Sequence, residues 1–161
     1  MMKLLISAIG RQKAGPETDL VARYQDRAQK AGRNLGLNGP DILEFTESRA
    51  RKTAERKAQE AEQTLAALPT GTFIVALDEH GKNMSSEDFA KLIDRERNQG
   101  TPAMAFCLGG PDGHGQQLLG AAHAKLALGA MTWPHQIARI LLSEQIYRAM
   151  TILSGHPYHR S

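Results

Sequence analysis

The apolar positions of this chain fall into short blocks of two kinds. Lys3–Ile9, "KLLISAI", and the run "PAMAFCLGG" at 102–110 are almost continuously apolar. Strands read this way when both faces of their sheet are covered. Thr72–Leu77 is a further β-rich run, ended by a turn at Asp78, and Asp41–Phe45 is a short strand candidate. "KLALGAMTW" follows a short helical stretch broken by Gly120, a residue that weakens a helix by roughly 1 kcal/mol relative to Ala. Between these blocks the pattern turns helical. Asp19–Leu35 has Thr18 and Asp19 as cap candidates and is closed by Gly36 and "NGP". Ser48–Leu68 is rich in strong helix formers. Ser86–Asn98 has a serine cap and acids in its first turn, and Gly100 stops it. The last helix is predicted over His135–Leu153. Strand and helix alternate, which predicts an α/β fold with a mainly parallel sheet flanked by helices. With 161 residues, no internal repeat and no long linker, one domain over 1–161 is expected.

The last helix departs from an ordinary amphipathic pattern. Ile137, Ile140, Leu141, Leu142, Ile146, Met150, Ile152 and Leu153 circle it rather than forming one stripe. Such a helix is covered on several sides. In a chain this short, that predicts a subunit interface. Arg139 and Arg148 lie nine residues apart and so on opposite sides, while Glu144 and Arg148 have the spacing of a helical ion pair.

Composition sharpens the picture in three places. The net charge of +3 permits an anionic partner such as RNA without requiring one. Much of the positive charge crowds the first half of the helix at 48–68: Arg49, Arg51, Lys52, Arg56 and Lys57. That half is either a solvated face, with Arg51–Glu55 and Arg56–Glu60 as helical pairs, or a docking surface for phosphates. The single cysteine, Cys107, reads as a buried core thiol and suits a reducing, cytoplasmic setting. No apolar run approaches a membrane span, and "MMKLLISAIG" reads as a first strand rather than a leader.

In open α/β sheets, ligands bind beyond the carboxyl ends of strands. Three such ends carry unusual loops: Leu77–Asp78, "LGGPDGHG" at 108–115 and "LGAMTWPHQ" at 128–136. Neither a P-loop nor a correctly spaced dinucleotide fingerprint is present, and the six histidines have no metal-binding spacing. A small organic cofactor held through backbone groups is the remaining expectation. The chain then ends in "GHPYHRS", an unusually functional group of side chains for a terminus.

"LGGPDG", "MTWPHQIARILLSEQIYRA" and the terminal "HPYHR", together with "LDEHGKNMSSEDFA" at 77–90, resemble the ribosomal RNA large-subunit methyltransferase H family, of the SPOUT class. The resemblance runs from the first strand to the last residue. It implies a homodimer whose C-terminal part, about 72–161, is threaded into a trefoil knot. It implies transfer of a methyl group from S-adenosylmethionine to N3 of a pseudouridine in 23S ribosomal RNA, with the assembled ribosome as the expected substrate, no metal and no membrane. By the same resemblance, Leu77, Gly109 and Leu128, Gly129, Ala130, Met131, Thr132 and Trp133 contact the cofactor. Tyr158, His159 and Arg160 face the substrate, with His159 as candidate base. His114 and Gly115 depart from the family pattern, which implies a looser pocket loop. Two other readings stay open: a non-enzymatic RNA- or ribosome-binding dimer, and a knotted methyltransferase acting on tRNA.

Overall fold

A computed structural model describes all residues, Met1–Ser161. In chain order the elements are β1 (Met2–Ile9), α1 (Pro16–Gly32), β2 (Leu37–Phe45), α2 (Thr53–Ala67), β3 (Phe73–Asn83), α3 (Ser86–Asn98), β4 (Ala103–Leu108), α4 (Gln116–Ala121), β5 (Ala124–Ala127) and α5 (His135–Ser154). The five strands pair in the order β2-β1-β4-β3-β5, every pair parallel. The predicted α/β architecture therefore stands.

The continuous apolar runs have the expected cause. In β1, Leu4, Ile6 and Ala8 face one side of the sheet, where they meet Val75, Met104, Phe106 and the inner faces of α1, α3 and α5. Leu5 faces the other side with Ala105 and Cys107, under Ala61 of α2 and Leu118 of α4. Both faces are dry, and only the exposed Lys3 and the buried Ser7 interrupt the apolar runs of β1 and β4. Burial also settles the cysteine. Cys107 is fully buried, and burial pushes its thiol up to about 11, partly offset by the Ser7 hydroxyl, so it is unreactive at neutral pH.

Several boundaries differ from the sequence reading. Helix α1 starts at Pro16, with Gly15 as its cap, so Thr18 and Asp19 lie inside its first turn. Proline is well suited to that position, because its missing N–H has no partner there anyway. "NGP" at 38–40 does not form a loop: it belongs to β2, where Leu37 and Asn38 pair with Met2 and Lys3. Helix α2 begins at Thr53 rather than Ser48. Arg51 precedes the helix, and the predicted Arg51–Glu55 pair does not form. Strand β3 runs past Asp78 to Asn83. Its two halves both face β5: Leu77 and Lys82 are each opposite Leu126, so the four residues between them arch outward. Gly81 lies directly on the backbone of β5. A Cβ there would stand 2.7 Å from the Lys125 carbonyl carbon and from the Leu126 nitrogen.

Helix α5 sits between α1 and α3. Leu142, Ile146, Ala149 and Met150 are buried within the chain, whereas Ile137, Ile140 and Leu141 remain partly exposed. The apolar ring predicted around this helix is thus partly satisfied by the chain itself. No helix is long and apolar enough to cross a membrane.

Candidate active site

At the carboxyl ends of β4 and β5, beside the mid-strand arch of β3, lies a cavity of about 300 Å³. Its walls come from three loops. The first is the arch after Leu77, with Asp78 and Glu79. The second is Leu108–His114. The third is Leu128 with Gly129 and Met131–Trp133, behind which stand His135 and Ala138 of α5. Of the eight residues that the sequence assigned to the cofactor, seven line this one cavity. Ala130 lies in the same loop but outside the lining.

Local chemistry explains why these loops hold their shape. The Trp133 indole N–H donates to the Leu128 carbonyl at 2.9 Å, which closes the third loop on itself, and Gly129 supplies the left-handed backbone (φ 104°) that the closure needs. In the second loop the Gly113 N–H donates to the Gly110 carbonyl at 3.0 Å. The loop is then pressed onto α2: a Cβ on Gly115 would stand 2.7 Å from the Lys57 carbonyl oxygen. Arg56 grips the same loop from α2, donating to both Asp112 carboxylate oxygens at 2.8 and 3.3 Å. That hydrogen-bonded guanidinium holds the Asp112 carboxyl below its ordinary range. The predicted Arg56–Glu60 pair is therefore absent. Glu60 is buried instead, and its Oε2 accepts the Ser48 N–H at 2.9 Å.

His114 does not loosen the loop. Its Nε2–H donates to the Cys107 carbonyl at 2.9 Å, tying the loop to the end of β4, and burial lowers its pKa. Sequence reasoning saw His114 as a departure and missed it as an anchor, because its partner is a backbone atom of a neighbouring strand. His135 opens α5 without a side-chain cap bond and faces the cavity. Arg139 is buried within α5; it pairs with Glu44 of β2 and donates to the Gly10 carbonyl. Burial opposes the Glu44 charge, but the Arg139 contact, helped by the Gln12 N–H, outweighs it and holds that carboxyl below its usual range.

The terminal residues lie elsewhere. Tyr158 donates its hydroxyl to Glu144 at 3.0 Å, its ring lies 4.7 Å from that of Tyr147, and the Arg148 guanidinium sits 4.8 Å from its centroid. The predicted Glu144–Arg148 pair forms at 2.7 Å. His159 is clamped between Arg148, 3.1 Å from Nδ1, and Glu87 of α3, 2.8 Å from Nε2. An arginine can only donate, so Nδ1 accepts and Nε2 carries the hydrogen. Burial, and then the Glu144 bond, push the Tyr158 phenol up to about 12, so it stays protonated. Arg160 is exposed. None of the three lines the cavity of its own chain.

A family model described as "Predicted SPOUT methyltransferase" matches residues 2–159. Over 160 residues the chain is 50% identical to a protein of Xanthobacter autotrophicus named Ribosomal RNA large subunit methyltransferase H, covering 99% of this chain and 100% of that protein. A protein of the same name from Brucella anthropi is 52% identical with the same coverage. Among solved structures, a putative methyltransferase from Legionella pneumophila with bound SAM overlaps 92% of this chain and 66% of its own, at 11% identity and a TM-score of 0.46. The loops that meet around the cavity and the full-length identity lead to one conclusion: this chain belongs to the SPOUT methyltransferase family, among the ribosomal RNA large-subunit methyltransferases H.

Proposed function

We propose that this protein transfers the methyl group of S-adenosylmethionine to N3 of a pseudouridine in 23S ribosomal RNA, working in the cytoplasm on assembled ribosomes. The observation that carries this reading is the convergence of Leu77, Gly109, Leu128, Gly129, Met131, Thr132 and Trp133 around one cavity, in a chain half identical to proteins of that name.

The cavity's chemistry fits the cofactor. Leu77, Leu126 and Leu128 offer apolar surface for a flat purine, and the loop backbones offer hydrogen-bonding groups. Asp78 and Glu79 at the rim favour a cationic ligand. When bound, the cofactor supplies an electrophilic methyl group that needs little further activation. The chain's task is to hold the reacting partners in line and to exclude competing geometries. N3 of the base must also lose its proton, so a general base or a cation that stabilises developing negative charge accelerates the step. His159 takes the role of base, Arg160 that of a phosphate or base-oxygen contact, and Tyr158 that of a stacking platform. For His159 to accept a proton at Nδ1, its contact with Arg148 must first break.

The protein acts as a homodimer with residues about 72–161 knotted. Membership of the SPOUT family supports the knot. Two features support the dimer: the tail does not reach the cavity of its own chain, and Met131 and Trp133 stand exposed beside the uncovered face of α5. A tail lent across the interface makes the dimer obligatory for catalysis.

The test uses ribosomes lacking the modification, labelled S-adenosylmethionine, and two proteins: the full chain and one cut after Gly155. Methylation by the full chain alone, with cofactor binding kept by both, is the expected result. Equal methylation by the cut protein overturns the role of the tail. Cofactor binding without methylation of ribosomes or their RNA by either protein overturns the reaction itself.

A further inference from the structure

The connection between β2 and α2, residues 46–52, leaves the sheet at the same end as the cavity, because all five strands are parallel. It has no regular secondary structure, yet it is firmly built. Its Ser48 N–H is bound by the buried Glu60 carboxylate. The Arg56 guanidinium donates to the carbonyls of Ala50 and Arg51 at 3.0 Å each and to the Thr53 hydroxyl at 2.9 Å, while its remaining bonds reach Asp112 on the cavity wall. One side chain thus fixes both the connection and the pocket loop.

What this frame presents outward is charge. Arg49, Arg51 and Lys52 are exposed, and none takes part in an ion pair. Residues 49–57 hold five cations against one carboxylate, Glu55, while the whole chain nets only +3. On a solvated helix face the opposite charges would pair at helical spacing. Here three cations in four residues precede the helix, unpaired, on a backbone that is already held. Like charges so crowded repel one another, and a polyanion offsets that repulsion.

We infer that Arg49, Arg51 and Lys52 form a docking strap for the backbone phosphates of ribosomal RNA, with Arg56 as the positioning residue that sets the strap at the cavity rim. The inference rests on the methyltransferase reading above and adds the surface by which the substrate is held. Phosphate contacts position a nucleic acid without reading its sequence. That suits a small protein whose substrate brings its own rigid shape.

The test compares the wild type with the triple variant Arg49→Ala/Arg51→Ala/Lys52→Ala and the charge-conserving Arg49→Lys/Arg51→Lys/Lys52→Arg. Two quantities are read: the salt dependence of binding to a 23S ribosomal RNA fragment, and KM and kcat on unmodified ribosomes. Each phosphate contact contributes about 0.7–0.9 to the slope of log K against log salt. The alanine variant should lose about 2 from that slope and raise KM about tenfold or more. Its kcat and its affinity for S-adenosylmethionine should be unchanged, and the charge-conserving variant should behave as wild type. An unchanged slope overturns the strap. A higher KM on ribosomes with an unchanged slope on RNA also overturns it, and moves the contact to an acidic ribosomal protein. The slope is measured by binding alone, so a wild type that binds RNA but methylates nothing overturns the reaction and still leaves the strap to be judged.

Discussion

The cavity wall and the C-terminal tail are held in place by different physics. The wall is fixed by close backbone packing and by side chains anchored on backbone carbonyls. Gly81 lies on β5, Gly115 on α2, and Trp133 closes its loop on a carbonyl. The two glycine contacts cannot change without β5 or α2 moving. Past His156, whose N–H caps α5 on the Thr151 carbonyl, the tail is held by side chains: Glu144, Arg148 and Glu87 hold Tyr158 and His159. Each of those bonds can be replaced by water or by another anion at small cost, because charged groups near a surface bind weakly in net terms. A rigid wall suits a cofactor that must be presented in one geometry. A replaceable clamp suits residues that engage only when substrate arrives.

The sharpest way to break this contrast is at the wall. Gly81→Ala drives a Cβ into the β5 backbone, which cannot yield as a side chain would. Overpacking of this kind costs about 1–3 kcal/mol or more, and we expect the upper end. Urea unfolding should show the loss, and calorimetry should show S-adenosylmethionine affinity falling with it. A stable Gly81→Ala protein with intact affinity would mean the arch is soft.

Trp133→Phe keeps an aromatic ring but removes the bond to Leu128. A lost hydrogen bond of this type is worth about 0.5–1.5 kcal/mol. Cofactor affinity should therefore fall severalfold, with the unfolding midpoint nearly unmoved. In the tail, Glu144→Gln weakens the charge-assisted bonds from Arg148 and Tyr158 by about 1 kcal/mol. Faster hydrogen exchange at Tyr158 and His159, with unchanged cofactor affinity, is the expected signature. A fall in cofactor affinity would show that tail and wall are coupled within one chain.

Acid separates the two regions by sign and window. Burial lowers the His114 pKa in the folded protein. As pH falls below its ordinary 6.5, the unfolded chain takes up the proton first. Stability is thus full above 6.5 and declines as pH drops toward the depressed folded value, and His114→Gln should flatten that decline in urea midpoints taken at pH 7.5 and 5.5. The tail responds lower. Its contact with His159 holds the Glu87 carboxyl below the ordinary 4.5. Docking is strongest above 4.5 and is lost as pH falls through the docked value, the smallest effect of the set. An amide protection factor at His159, corrected for intrinsic exchange, that does not fall on acidification below 4.5 would refute that clamp.

Local rules decided much of this molecule. The nearly continuous apolar runs of β1 and β4 follow from burial on both sheet faces, and the Ser85 cap with its acidic first turn marks α3 to the residue. The loops that line the cavity were legible because an α/β sheet places ligands at strand ends. Tertiary structure decided what depends on distant backbone. The extension of β3 past Asp78 needs β5 to pair with, and "NGP" becomes strand only because β1 lies beside it. Arg56 left its helical partner for Asp112, 56 residues away, because Glu60 is turned inward beneath Ser48. Short-range spacing can name who may pair. It cannot weigh a neighbour in the chain against a stronger one that only folding brings near.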